Sequence, residues 1–355
     1  MTESKIAQLH PAWSAIPLGT AGVAVVSLFD PVPNLDFDDL VGFTLTVIAA
    51  LLFVAVTTLN LVRIFKYRDQ YKDDLKHPMF GAMIATLPAS SLVLGLAVAQ
   101  LAKTFLILEE VLGFVALALL VIGVIGALVV GILFFSNVVK NQELPAGMIS
   151  GTWFIPIVVF VLVPSVVIRI SELTGGFNGG LTYLLTFGAL GAGLLLFIFL
   201  GAVVAWRLIV TPPPPTQMSP TWIIWLAPAG AGGLGILASM RMLQVFNDQN
   251  LNLVVEIMGI FAASLLWGFG VWWFIFSLAQ IIPHRKVLKF HLGSWGFSFP
   301  LAAFLALSLE LSRVWDTQVI TYLGIAGWVG VLAVWLWLIF RTFQKTVTGE
   351  VFIRS

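Results

Sequence analysis

The 355-residue chain contains no cysteine, which removes disulfides, thiolate nucleophiles and cysteine-bound metals at once. Charge is scarce too. Acidic and basic residues make up 10% of the chain against 59% apolar ones, too little polar surface to clothe a soluble globule. Polar stretches never exceed about 15 residues, so no soluble domain is expected and residues 1–355 read as a single transmembrane domain. The histidines, His10, His77, His284 and His291, lack metal-ligand spacing. No nucleophile stands beside a base, so neither a metal, a cofactor nor an enzymatic centre is expected. Gly230-Ala231-Gly232-Gly233-Leu234-Gly235 has the dinucleotide-binding spacing, but it follows Pro228 inside an apolar run with no strand before it. It reads as helix-packing or pore-lining glycine. With a net charge of +1, nothing calls for a nucleic-acid partner.

What the chain has instead is apolar runs of about 18 to 30 residues, each long enough to cross a bilayer as a helix and too long for barrel strands. Ten spans are expected, at about 14–30, 40–63, 79–102, 111–138, 152–170, 181–206, 221–243, 252–282, 294–314 and 319–343. Between them, one side collects fourteen of the eighteen basic residues: Lys5, Arg63, Lys66, Arg68, Lys72, Lys76, Lys140, Arg207, Arg285, Lys286, Lys289, Arg341, Lys345 and Arg354. The positive-inside rule makes that side, with both termini, cytoplasmic, and the plasma membrane is the expected location. The first span has the basic start of a signal peptide, but Pro17 interrupts it as in later spans, so it reads as a retained helix. Residues 211–220, with Pro212 to Pro215, read as a stiff extended cytoplasmic link.

Proline falls in every other span: Pro17, Pro88, Pro156 with Pro164, Pro228 and Pro300, while the intervening spans have none. An interior proline deletes a backbone hydrogen bond that lipid cannot replace. The bent helices therefore belong inside. The expected fold is an all-α polytopic membrane protein of five helical hairpins around a central pore, kinked odd helices lining it and straight even helices outside. Small residues usually follow each proline, leaving room for close packing or a passage.

No ionisable residue lies in the middle of an odd span, where a proton- or sodium-coupled carrier usually keeps one. Membrane lipid aside, the expected partners are small inorganic anions or carboxylates. Thr20, Ser90, Ser91 and Ser298, with backbone dipoles, would line the pore and hold an anion weakly, which suits passive conduction. Lys103, Arg169, Arg241 and Arg313 each end a different odd span and could form an external anion-attracting ring. Arg169 with Glu172 and Arg313 with Glu310 also have helical ion-pair spacing. External Asp30, Asp36, Asp38, Asp39, Glu109 and Glu110 would oppose a simple funnel.

The segment Trp295-Gly296-Phe297-Ser298-Phe299-Pro300, set in this alternating architecture, resembles the tellurite-resistance/dicarboxylate transporter family of bacterial TehA-type proteins and plant slow anion channels. From its residues alone, Phe299 is one of 28 phenylalanines and an ordinary core side chain. The resemblance implies that it plugs the pore, an apolar constriction excluding hydrated anions. It also implies homotrimers in which each protomer has its own pore. The function implied is passive transport of small anions such as chloride, nitrate or oxyanions. The alternative is a proton-coupled carrier or exporter of C4-dicarboxylates, sulfite or tellurite. Plant members add regulatory tails; here about 13 and 12 residues lie outside the outermost spans, and control by a terminal domain is not expected.

Overall fold

A computed structural model describes residues 5–33, 36–106, 108–141, 143–174, 179–243, 249–315 and 317–350; Arg354 lies outside them. Among the described residues there is no strand. Ten main helices follow one another: α1 (Ala15–Ser27), α2 (Asp36–Lys66), α3 (Thr86–Phe105), α4 (Glu109–Lys140), α5 (Ile155–Thr174), α6 (Gly180–Val210), α7 (Leu226–Leu243), α8 (Gln249–Ile281), α9 (Ser298–Trp315) and α10 (Gln318–Val347). The even helices run unbroken for 30 to 33 residues, because nothing in them removes a backbone donor. Asp36, Asp38 and Asp39 open α2, Glu109 and Glu110 open α4, and Arg63, Lys66, Lys140, Arg207 and Lys345 sit in last turns, matching the helix dipole at each end.

The odd helices are built differently from the expected kinked rods. A short helical turn precedes each one: Pro11–Ser14, Pro78–Ile84, Gly151–Phe154, Pro220–Ile224 and Leu292–Phe297. The α-helix restarts after it, and Pro17, Pro88, Pro156, Pro228 and Pro300 occupy its second or third position. There a proline has no intrahelical hydrogen bond to lose and its fixed φ suits the helix start. Only Pro164 is truly interior, in α5. The bend foreseen from sequence is thus a break and restart.

Counted with their preceding turns, nine helices among the described residues are long and apolar enough to cross a membrane, and Pro11–Ser27 is a shorter apolar one. Of the most apolar stretch, at least 67% is buried in the odd members of that set and at most 33% in the even ones. Every residue of α1 is buried. The odd helices touch in a closed cycle, α1 to α3, α3 to α5, α5 to α7, α7 to α9 and α9 back to α1, and each even helix packs on the odd helix before it. Glycine permits the tightest approach: a Cβ on Gly230 of α7 would lie 2.5 Å from backbone atoms of Ala303 and Phe304 in α9.

Two of the basic residues that gave the topology are not solvated. Arg63 is buried, donates to the Ala7 carbonyl at 3.2 Å and pairs with buried Asp74 of the short helix Arg68–Lys76. Arg207 is buried and donates to the carbonyls of Ala146 and Gly147. The proline-rich link is extended only through Pro215, then turns helical at Thr216–Met218 and Pro220–Ile224.

Candidate transport pathway

Because the odd helices all start at one end of the ring, their linings can be compared level by level. A cavity of about 90 Å³ opens at the N-terminal end, walled by Ala15 and Leu18 of α1, Ala89 of α3, Val158 of α5, Ala227 of α7 and Phe299 of α9. A second, of about 30 Å³, lies at the opposite end and is walled by Phe29, Leu96, Ser165, Leu234 and the charged Arg169, Arg241 and Glu310. On α3, α5 and α7 the two linings lie seven residues apart, roughly 10 Å of helical rise. No odd helix has an ionisable residue between the two levels.

Phe299 is the second residue of α9, 6% exposed, with the following Pro300 also on the inner cavity wall. The ring lies beside Gly22 of α1: a Cβ there would stand 3.2 Å from ring carbon Cδ2. Pro300 is the one predicted kink residue in a cavity wall; Pro88 faces Gly126 of α4 and Pro164 faces Gly235 of α7.

The inner cavity owes its electrostatics to backbone. Five helices begin around it, and none has an acidic residue in its first turn. A free helix start carries about half a positive charge; here the carbonyls of the preceding turns take the first N–H groups and reduce it, with no carboxylate to offset it further. His291 is the one titratable residue in the lining. Its Nε2 faces the Gln217 carbonyl at 2.7 Å, and its backbone closes the turn Leu292–Phe297: the His291 carbonyl accepts the Ser294 N–H at 2.8 Å, and the His291 N–H donates to Ser294 Oγ at 3.3 Å. A carbonyl can only accept, so Nε2 carries a proton. Burial pulls the His291 pKa below its ordinary value, outweighing the carbonyl that raises it.

At the outer end the four predicted cations cluster around two carboxylates. Glu172 takes Lys103 and Arg169, each at 2.7 Å, while Glu310 takes Arg241 at 3.1 Å and Arg313 at 3.7 Å. Arg313 also donates to the Phe29 carbonyl. The expected ion pairs are present, and across them four positive charges meet two negative ones.

The predicted hydroxyls do something else. Thr20 donates to the Ile16 carbonyl and accepts from Trp335, Ser90 donates to Leu87, Ser91 to Leu119 of α4, and Ser298 to Gly19. All four are fully buried and none walls either cavity. Sequence reasoning missed Gly22, His291 and the tryptophans that fasten α10: Trp328 to Ser27, Trp335 to Thr20, and Trp295 to Thr342. The seven-residue spacing of Trp328, Trp335 and Thr342 was a readable signal, since it places all three on one helix face.

Comparison with known proteins gives the arrangement its relatives. The model of the SLAC1 family, described as voltage-dependent anion channel, matches residues 8–343. An uncharacterized transporter of Methanocaldococcus jannaschii is 30% identical over 96% of this chain and 94% of its own. A sulfite efflux pump of Trichophyton rubrum is 24% identical over 98% and 93%. A malic acid transport protein of Schizosaccharomyces pombe is 22% identical over 96% and 78%.

Proposed function

The chain belongs to the SLAC1 family of voltage-dependent anion channels, and we propose that it conducts small anions passively through the ring of odd helices, with Phe299 as the gate. One observation carries the reading: two cavities face each other along a single axis, with Phe299 in the inner wall and no ionisable residue between them. In this reading ten helices cross the plasma membrane as five hairpins and both termini are cytoplasmic. The protein is a homotrimer with one pore per protomer, as the resemblance implied.

Anions would enter the inner cavity toward five helix N-termini, whose partial charges attract without a fixed cation to hold the ion. The phenyl ring is the closing element. A small rotation of the side chain, or a shift of α9 where it restarts after Phe297, opens the path. At the far end Arg169 and Arg241 concentrate anions, with Glu310 tempering the field.

The printed names of two relatives, a sulfite efflux pump and a malic acid transport protein, favour a second reading: a coupled carrier of small oxyanions or dicarboxylates. Planar-bilayer current through the purified protein separates the two. Current under a chloride gradient that reverses at the chloride equilibrium potential, whatever the proton gradient, supports the channel. Electrical silence together with malate or sulfite uptake that follows the proton gradient overturns it in favour of the carrier.

A further inference from the structure

The outer layer of the ring leaves a wide groove on one side. α8 packs on α7 and only lightly on α9, and a groove of about 690 Å³ is left between α8 and α10, floored by the outward side of α9. Another groove between even helices, α4 and α6 over α5, holds about 200 Å³. The large groove runs from Trp267 to Ile281 along α8 and from Gly324 to Trp337 along α10, about 20 Å on either helix. That exceeds half the roughly 30 Å hydrocarbon thickness of a bilayer. Its lining is apolar apart from Ser308, which is occupied by the Trp267 indole at 2.9 Å.

Charge marks one mouth of the groove. Leu288 lines that end, and the loop around it holds Arg285, Lys286 and Lys289, all exposed and none paired with a carboxylate among the described residues. Arg341 stands one turn beyond Trp337 on the same face of α10, with its Nε buried and unbonded. We infer that this groove is a binding site for an anionic phospholipid: one acyl chain lies along α9, and the headgroup rests on Arg285, Lys286 and Lys289. Burial of the chain supplies affinity, and the cations select the headgroup. The floor of the groove includes Phe297 and Leu301, immediate neighbours of the gate segment. Occupancy therefore bears directly on the helix that carries Phe299. This rests on the membrane orientation proposed above, which puts that mouth in the cytoplasmic leaflet.

Gly330 provides the test, since it lines the groove and a Cβ on it meets nothing within 4 Å. The full chain is extracted from vesicles of phosphatidylglycerol and phosphatidylcholine, and retained lipid is counted by native mass spectrometry. Wild type should keep one phosphatidylglycerol per protomer in preference to phosphatidylcholine. Gly330→Trp should reduce that retention at least tenfold, and Lys286→Gln with Lys289→Gln should abolish the headgroup preference. Equal retention by Gly330→Trp and wild type overturns the proposal. So does disulfide cross-linking of neighbouring copies through Gly330→Cys, the sole thiol in that variant, because a second copy would then fill the groove. The binding readout is independent of transport: a protein that retains the lipid but passes no anion refutes the channel reading and leaves this site standing.

Discussion

Replacing Phe299 with alanine tests the gate quantitatively. The ring is 6% exposed and borders the inner cavity, and full burial of a phenylalanine is worth about 1.5–3 kcal/mol relative to exposure. That is the cost of swinging the ring out of the passage, provided the open rotamer exposes it. At about 1.4 kcal/mol per factor of ten, the closed state loses about a ten- to hundredfold advantage when the ring is removed. Phe299→Ala should therefore raise single-protein chloride conductance by roughly one to two orders of magnitude. A purely structural phenylalanine predicts something else: about 3–5 kcal/mol of lost stability and no new current. Planar-bilayer recording and thermal unfolding of the same preparation separate these outcomes. A variant that unfolds earlier yet stays electrically silent would refute the gate.

Gly22→Ala puts a methyl 3.2 Å from the same ring; it should displace the phenyl by a few tenths of an ångström and change open probability in recordings while stability falls by less than about 1–3 kcal/mol. Gly230→Ala, whose Cβ meets backbone of α9, should cost at least that much in unfolding assays, whereas Gly330→Ala, in open space, should be neutral or stabilise by up to about 1 kcal/mol. Glu310→Gln unmasks Arg241 and Arg313. Conductance should rise in dilute salt and the gain should vanish near 1 M, where the screening length drops to about 3 Å; a salt-independent change would count against electrostatic concentration. The buried His291 has a folded-state pKa below its ordinary value near 6.5, so the stability its neutral form contributes is fully present above that pH and is lost as pH falls through and below it. The thermal unfolding midpoint of wild type should fall in that window, and His291→Gln should remove that part of the pH dependence.

Proline periodicity in the sequence picked out the more buried helices, though not by the expected cause: except at Pro164, the prolines stand where no intrahelical hydrogen bond is lost. It could not say whether Pro17 or Pro300 bends a helix or begins one. That distinction depends on the residues before each proline pairing as a separate turn, and in the last case on His291 and Ser294 closing a cap across three residues. Hydroxyl placement was harder still. Thr20 and Ser298 are on inner helices, but which way each points is decided by where Trp335 and the Gly19 carbonyl come to lie, 315 and 279 residues away in the chain. Spacing within one span carries no trace of such partners.

The break-and-restart geometry also bears on why an uncharged lining can favour anions. A continuous helix bent at Pro300 would keep its positive end outside the ring, near the surface and masked by water. By starting anew at Ser298, whose N–H is taken by the Trp295 carbonyl of the preceding turn, α9 sets the positive end of its α-helical stretch beside Phe299, and four neighbours do the same at their own restarts. Five partial charges of that kind total at most about two and a half elementary charges, obtained without burying a lysine or arginine in apolar surroundings. Because no side-chain ammonium or guanidinium contributes at that level, the attraction should not titrate away in alkali. Anion-over-cation permeability measured on Phe299→Ala should stay level from neutral pH to pH 10; a fall across that range would place the selectivity on a lysine instead, with Lys103 at the outer mouth the first to substitute.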